Sequence, residues 1–222
     1  MKNLLLYWFK MQASKFMRKE LVPLYDADTI KQIFFGYWQR YQRLKPEVPA
    51  MPTLGGSVMV HLAAMSTAFY QEFTARGQSE ETATQLFYDI VWKIYVKMGR
   101  LSWWLAGWGN RSIDSHLLKT TKLFRAFPFN TPSYKWKDVQ TGNNVVGFDC
   151  LKCPVAEDFQ SSGLSKFCTK TWYSLDYPLA ELWYAKLERT GSIAGGADKC
   201  DFRWTSKIEK LTDILSSNNK KN

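Results

Sequence analysis

The chain has 222 residues, 45% of them hydrophobic, enough to bury one sizeable core or two small ones, which excludes a disordered or fibrous protein. Aromatic residues reach 16%, with ten tryptophans, a content suited to packed helices or a flat-walled pocket. The formal charge of +10 creates a surface field that attracts anions (carboxylates, phosphates, nucleic acid or acidic lipid) without choosing among them.

The first twenty residues predict a basic helix in which Lys2, Lys10, Lys15, Arg18 and Lys19 accompany Leu4, Leu5, Tyr7, Trp8, Phe9 and Phe16. Docking on its own domain is the expected role, with an acidic membrane surface as the alternative. Its apolar run covers only about six residues and lacks a small-residue cleavage site, so no signal peptide is expected. No stretch reaches the roughly 18 apolar residues a membrane span requires, and the expected compartment is the cytoplasm.

A second helix begins at Asp26 or Asp28 and carries Ile30, Ile33, Phe34, Tyr37, Trp38, Tyr41 and Leu44 at steps of three and four. Pro46, Pro49 and Pro52 break the pattern. From Val58 to Arg76 the apolar residues are almost continuous and Gly77 stands at a C-cap position, which predicts a central, buried helix bearing His61. Ser79 caps the next helix, expected to end at Gly99. The run "RLSWWLAGWGN" then reads as a buried corner or a pocket wall, and Ser112 caps one more helix carrying His116.

Beyond Pro128 the character changes. Two β-favouring runs flank "QTGNN", and two more, around Trp183 to Ile193 and Cys200 to Thr205, flank Gly195 and Gly196. A short helix is expected from Pro154, a last one over 208–215, and a frayed tail at 216–222. The fold class is α+β, a helical N-terminal half packed on a small antiparallel sheet that carries the cysteines. Residues 1–50 supply N-terminal helices and 51–215 an α+β body, expected to form one continuous domain.

Four cysteines, Cys150, Cys153, Cys168 and Cys200, carry the chemistry. In a reducing compartment they are thiols, metal ligands or a nucleophile rather than structural disulfides. Cys150 ends a strand, and Cys153 is the expected N-cap of the helix that Pro154 opens. There unpaired N–H groups and the helix dipole favour a thiolate. Cys200 opens the last strand, so the four can converge, with zinc or an iron–sulfur centre as candidate cofactors. The spacing C-x2-C, then 14 residues, C, then 31 residues, C lacks the second close pair of a zinc ribbon. Glu157, one helical turn from Cys153, and Asp201, directly after Cys200, are candidate general bases. Of the two histidines, His61 is the better candidate for a binding role because its helix reads as buried. No G-x-S-x-G, phosphate-binding glycine loop or H-E-x-x-H occurs. The basic residues are scattered without a nucleic-acid-binding signature, so nucleic acid is not an expected partner.

Three stretches, "MPTLGGSVMVHLAAMSTAFYQEFTARGQSEETA", "DCLKCPVAEDFQSSGLSKFC" and "LERTGSIAGGADKCDFRW", resemble the L-2-amino-thiazoline-4-carboxylic acid hydrolase family over about residues 50 to 205. Pro52, Gly55, Gly56, Gly77, Ser79, Cys153, Pro154, Cys168, Arg189, Thr190, Gly195, Cys200, Asp201 and Phe202 carry the resemblance. One position departs: Thr171 stands where an acid is expected three residues after Cys168, and Asp176 is the next acid. The resemblance implies hydrolytic ring opening, in which water adds to the carbon between nitrogen and sulfur and the C–S bond breaks to give N-carbamoyl-L-cysteine. In that casting Cys153 is the nucleophile or first metal ligand, with Cys168 and Cys200 as its partners. Asp201 or Glu157 is the base, and Arg189 or Arg203 anchors a small carboxylated substrate. A non-catalytic small-molecule or zinc-binding module is the alternative, and the pattern leaves homo-oligomerisation open.

Overall fold

The computed structural model of the protein describes residues 1–108, 112–142 and 144–207. The last helix and the tail expected beyond 207 lie outside the described residues. The N-terminal part is built from α1 (Lys2–Leu21), α2 (Ala27–Leu44), α3 (Leu54–Ala75), α4 (Glu80–Gly107) and α5 (Ile113–Ala126). No described helix is long and apolar enough to cross a membrane.

Local chemistry explains the helix starts. Asp26 accepts from the backbone N–H groups of Asp28 and Thr29, each at 2.9 Å, which settles which aspartate caps α2. Ser79 and Ser112 do the same for α4 and α5. Along α2, Ile30, Ile33, Tyr37 and Tyr41 form the buried stripe. On α3 burial is nearly all round, so this helix is the centre against which α2 and α4 pack. Gly77 follows α3 with φ +83°, a left-handed stop that a side chain would strain.

Gly55 has a different task. A methyl group at that position would stand 2.1 Å from the Pro128 carbonyl oxygen, so the start of α3 presses directly on the chain that leads into the sheet. The glycine of the P-x-x-G-G segment thus joins the helical half to the strands.

Two expectations about this half change. Helix α4 does not stop at Gly99 but runs to Gly107. Gly99 keeps helical geometry because its neighbours need it there, its carbonyl accepting from the Trp183 indole N–H at 3.0 Å. The tryptophan run is consequently helical rather than a buried corner. Trp104 and Trp108 are exposed, while Trp103 stacks on His116 with ring centroids 3.6 Å apart. Helix α1 does dock on the body. Met17 and Leu21 are buried, Glu20 pairs with Lys93, and Lys97 donates to Gln12 at 2.7 Å.

The strands β1 (Lys135–Val139), β2 (Val145–Lys152), β3 (Ala185–Glu188) and β4 (Cys200–Ser206) form an antiparallel sheet in the order β1-β2-β4-β3. The expected first hairpin is β1 and β2. In the second, β3 is shorter than its β-favouring run, Trp183 belongs to the end of a helix, and a 3-10 turn covers Ile193–Gly195. Between β2 and β3 lie α6 (Pro154–Ser161), α7 (Ser165–Cys168), a π-helical turn at Thr169–Tyr173 and α8 (Asp176–Leu182). Side chains alternate across β4, with Cys200, Phe202 and Trp204 turned to the core and Asp201 and Arg203 to the other face. One hydrophobic cluster runs from Met17 in α1 to Trp204 in β4.

Because the approach at Gly55 leaves no room for a methyl group, Gly55→Ala should cost about 1–3 kcal/mol of stability, as overpacking does elsewhere. Urea denaturation reads this as a lowered midpoint, and an unchanged midpoint would contradict the close approach.

Candidate functional site

The register of the two central strands sets the site. Cys150 on β2 lies directly opposite Cys200 on β4, both on the core face. Two residues further on, Phe148 faces Phe202 and the rings stack at 5.2 Å. Three residues after Cys150 the chain leaves the strand. There Cys153 takes the N-cap of α6, with Pro154 in the first turn, as the sequence predicts. Cys168 ends α7, and the π-helical turn that follows delivers Tyr173 to the same place. All four cysteines are buried and free.

The Cys150 thiol is within hydrogen-bonding reach of both Cys153 and Cys200. The contacts with those two sulfurs, and burial besides, hold its single proton to far above the usual thiol range, and the thiol donates to the Lys152 carbonyl oxygen at 3.1 Å. Its two neighbours move the other way. Cys153 is lowered first by the Cys150 thiol and then by the Ala156 N–H and the Tyr173 hydroxyl, against its burial. Cys200 is lowered to about 7, first by the Cys150 thiol, with the Tyr173 hydroxyl, the Ile193 N–H and the Arg189 charge assisting against burial. The Tyr173 hydroxyl and the Ile193 N–H each lie 3.3 Å from the Cys200 sulfur. Burial raises Cys168 instead, and its thiol stays protonated.

The thiols of Cys150, Cys153 and Cys200 line a cavity of about 100 Å³ whose other walls are mostly aromatic, Phe124, Trp136, Phe148, Trp172 and Trp183 among them. Cys168 is not part of the wall. Behind Tyr173, Arg189 donates to the Asp176 carboxylate and to the Tyr173 carbonyl, both at 2.9 Å, and lies over the rings of Tyr173, Tyr177 and Phe202. The Tyr95 hydroxyl donates to the other Asp176 oxygen at 3.1 Å. Burial raises the Asp176 pKa in spite of the Arg189 charge.

The structure brings the four cysteines together and separates most of the other predicted site residues from them. Asp201 and Arg203 lie on the opposite sheet face from Cys200, because strand side chains alternate. The Asp201 carboxylate accepts from the Thr190 and Gly191 N–H groups at 3.0 and 2.7 Å and from the Thr190 hydroxyl at 2.6 Å, so it ties the turn that follows β3. Arg203 is held by Asp149 and by the carbonyls of Phe148 and Phe202. Glu157 is exposed on the outer side of α6. His61 shares a 3.1 Å hydrogen bond with the Tyr41 hydroxyl and does not line the cavity. Arg189 is at the site, but its guanidinium is already spent on Asp176 and Tyr173. Among the described residues no group of three or more His, Cys, Asp or Glu is arranged to hold a metal ion.

Tyr173, Tyr134 and Tyr95 escape a reading of the sequence, and Asp176 enters it only as the next acid after Thr171. Tyr173 stands five residues after Cys168 and reaches the thiols only through the π turn, which no periodicity announces. Thr171, where an acid was expected, is fully buried and donates to the Phe167 carbonyl at 2.6 Å; the acid that reaches the cavity is Asp176. Trp204 could have been found, since Cys200, Phe202 and Trp204 alternate onto one face.

Residues 58–204 match the family of L-2-amino-thiazoline-4-carboxylic acid hydrolases. The chain belongs to that family. The match spans α3 to β4 and includes all four cysteines and every residue lining the cavity, while α1 and α2 stand outside it. Among the curated proteins nothing matches.

The Asp201 turn yields a pH test. Its carboxyl is lowered from 3.8 to about 2 by the Thr190 hydroxyl and the Thr190 and Gly191 N–H groups, which outweigh burial. A depressed acid stabilises the fold above its unfolded value, and that contribution is lost as pH falls through the folded value. A carboxyl-resolved NMR titration should therefore place Asp201 near pH 2, with the turn amides of Thr190 and Gly191 moving alongside it. A midpoint near 3.8 would refute the arrangement.

Proposed function

We propose that the chain is a cytoplasmic hydrolase that opens the ring of a small carboxylated 2-amino-thiazoline-type heterocycle with a cysteine thiolate, residues 1–215 working as one unit. The observation that carries this reading is the pair of depressed thiols, Cys153 and Cys200, lining an aromatic cavity in a chain of this family. The cavity's size fits: about 100 Å³ is the scale of a single ring, since engineered cavities of roughly 150 Å³ accept benzene.

Cys200 is the better nucleophile, because an amide N–H and a hydroxyl converge on its sulfur in addition to the Cys150 thiol. Its thiolate adds to the ring carbon between nitrogen and sulfur. The ring C–S bond then breaks, and the departing sulfur takes a proton from a water molecule, leaving an isothiourea on Cys200 and hydroxide beside it. That hydroxide next adds to the same carbon, and its remaining proton passes to nitrogen. The bond to Cys200 breaks and regenerates the thiolate. The net change is addition of one water, giving an N-carbamoyl product with a free thiol. Tyr173 steadies the thiolate, and the Arg189–Asp176 pair positions Tyr173 by holding its backbone.

A non-catalytic small-molecule binder is the second reading, favoured by walls that are almost entirely aromatic. Appearance of product thiol on 2-amino-thiazoline-4-carboxylate separates the two. Cys200→Ser should lower kcat/KM on the order of 10³-fold, whereas Cys168→Ser should change it by less than about tenfold, Cys168 lying outside the cavity. The rate should rise with pH through about 7 as Cys200 ionises and level off above. A wild-type rate in Cys200→Ser would overturn the proposal, and tight binding without thiol release would favour the binder.

A further inference from the structure

With Arg189 and Arg203 engaged elsewhere, the cavity needs another way to hold a carboxylate. Three buried hydrogen-bond donors on its wall have no partner: the Tyr134 hydroxyl, the Trp204 indole Nε1 and the Arg125 Nε. Tyr134 and Trp204 are 2% and 3% exposed. A buried donor left unmade is costly, and most such groups in folded proteins are satisfied. The remaining unpartnered atoms, on Thr67 and Asn130, belong to residues that do not line the cavity. The one carboxylate at the wall, Asp176, is already shared between Arg189 and Tyr95. What the cavity offers a ligand is thus a set of donors with one positive charge among them.

Their placement along the sheet has the scale of a small ring. Same-face positions on a strand are about 7 Å apart, which is the step from the Cys150 and Cys200 pair to the Phe148 and Phe202 pair. The Arg125 guanidinium lies over Phe148, 4.3 Å from the ring centroid. Trp204 is the next core-facing residue along β4. Tyr134 sits at the near end, within electrostatic reach of Cys153 and Cys150. The Arg125 guanidinium also pairs with Asp138, whose own side chain is largely exposed, which leaves its Nε for the cavity.

The geometry points to Arg125 and Trp204 as the carboxylate-binding end of the cavity and to Tyr134 as the donor to the ligand's acceptor atom beside the thiols, the ring lying across Phe148 and Phe202. This makes them specificity-determining residues, and it rests on the proposed substrate class. The ligand selected is a planar, single-ring molecule with an anionic group one ring's length from its reactive carbon. The basic surface favours its arrival.

Binding to the full-length protein, followed by tryptophan fluorescence, tests this with 2-amino-thiazoline-4-carboxylate and the same ring lacking its carboxylate. The wild-type protein should bind the acid about 10- to 100-fold more tightly, the range expected for hydrogen bonds to a charged group. Arg125→Gln and Trp204→Phe should remove that preference by weakening the acid alone. Tyr134→Phe, which keeps the ring shape, should weaken both ligands and leave the thermal midpoint of the ligand-free protein unchanged or higher, since it deletes a donor with no partner. A purely structural tyrosine would instead lower that midpoint. Equal affinity for the two ligands in the wild type, no binding of either, or a preference that survives Arg125→Gln and Trp204→Phe would each overturn the assignment. Preference for the acid without any thiol release leaves it standing and sinks the catalytic reading alone.

Discussion

Cys150 and Cys200 face each other across the two central strands, and the rest of the site follows from that register. A slip of β4 by one residue against β2 would send the Cys200 sulfur to the opposite face and bring Asp201 and Arg203 into the core. The Phe148 and Phe202 stack and the ties from Asp149 to Lys199 and Arg203 hold the alignment from the two faces of the sheet. With the rung in place, Cys153 can complete the cluster three residues later. A strand end and a helix start are thereby placed within one hydrogen-bond network, with Cys150 keeping the proton that its neighbours shed.

The helical half supplies what a four-stranded sheet cannot. Strands β2 and β4 offer a flat aromatic and sulfur-bearing floor, but only α4, α5 and α8 can roof it. The buried Arg189 and Asp176 pair lies where roof and floor meet. Such pairs are costly to bury and seldom add stability over an apolar substitute. Here the pair is also bonded to Tyr95 on α4 and to the Tyr173 carbonyl, so its effect is to specify one relative placement of α4, the π turn, α8 and the end of β3. The glycine contact at the start of α3 plays a similar part on another side of the molecule.

Much of this was legible in the chain itself. Capping residues located the helix starts, the proline after Cys153 located α6, and the β-favouring runs marked all four strands. The convergence of the cysteines followed from placing each at an element end. Legibility stopped where the outcome depended on which way a side chain turns or on a local irregularity. Adjacency in sequence suggested Asp201 as a partner of Cys200, yet neighbours on a strand face apart. Glu157 is close to Cys153 along the helix but points outward, because the inner face of α6 is taken by Val155, Ala156 and Phe159. Arg125, Tyr134 and Trp204 lie in three separate elements and carry no spacing that links them. Their common trait, the lack of a partner, exists only once the molecule has folded.

Little of the sulfurs lies at the surface: Cys150, Cys168 and Cys200 are at most 2% exposed and Cys153 only 9%. A reagent or substrate therefore arrives only during moments when aromatic side chains of the wall swing aside. The association rate of any ligand is then governed by the protein's own breathing rather than by diffusion to an open mouth. The same gating protects a thiol that ionises near neutrality from the bulky electrophiles and oxidants that would find it on a surface. Seclusion gives this chain a chemically exposed sulfur in a sterically sheltered place.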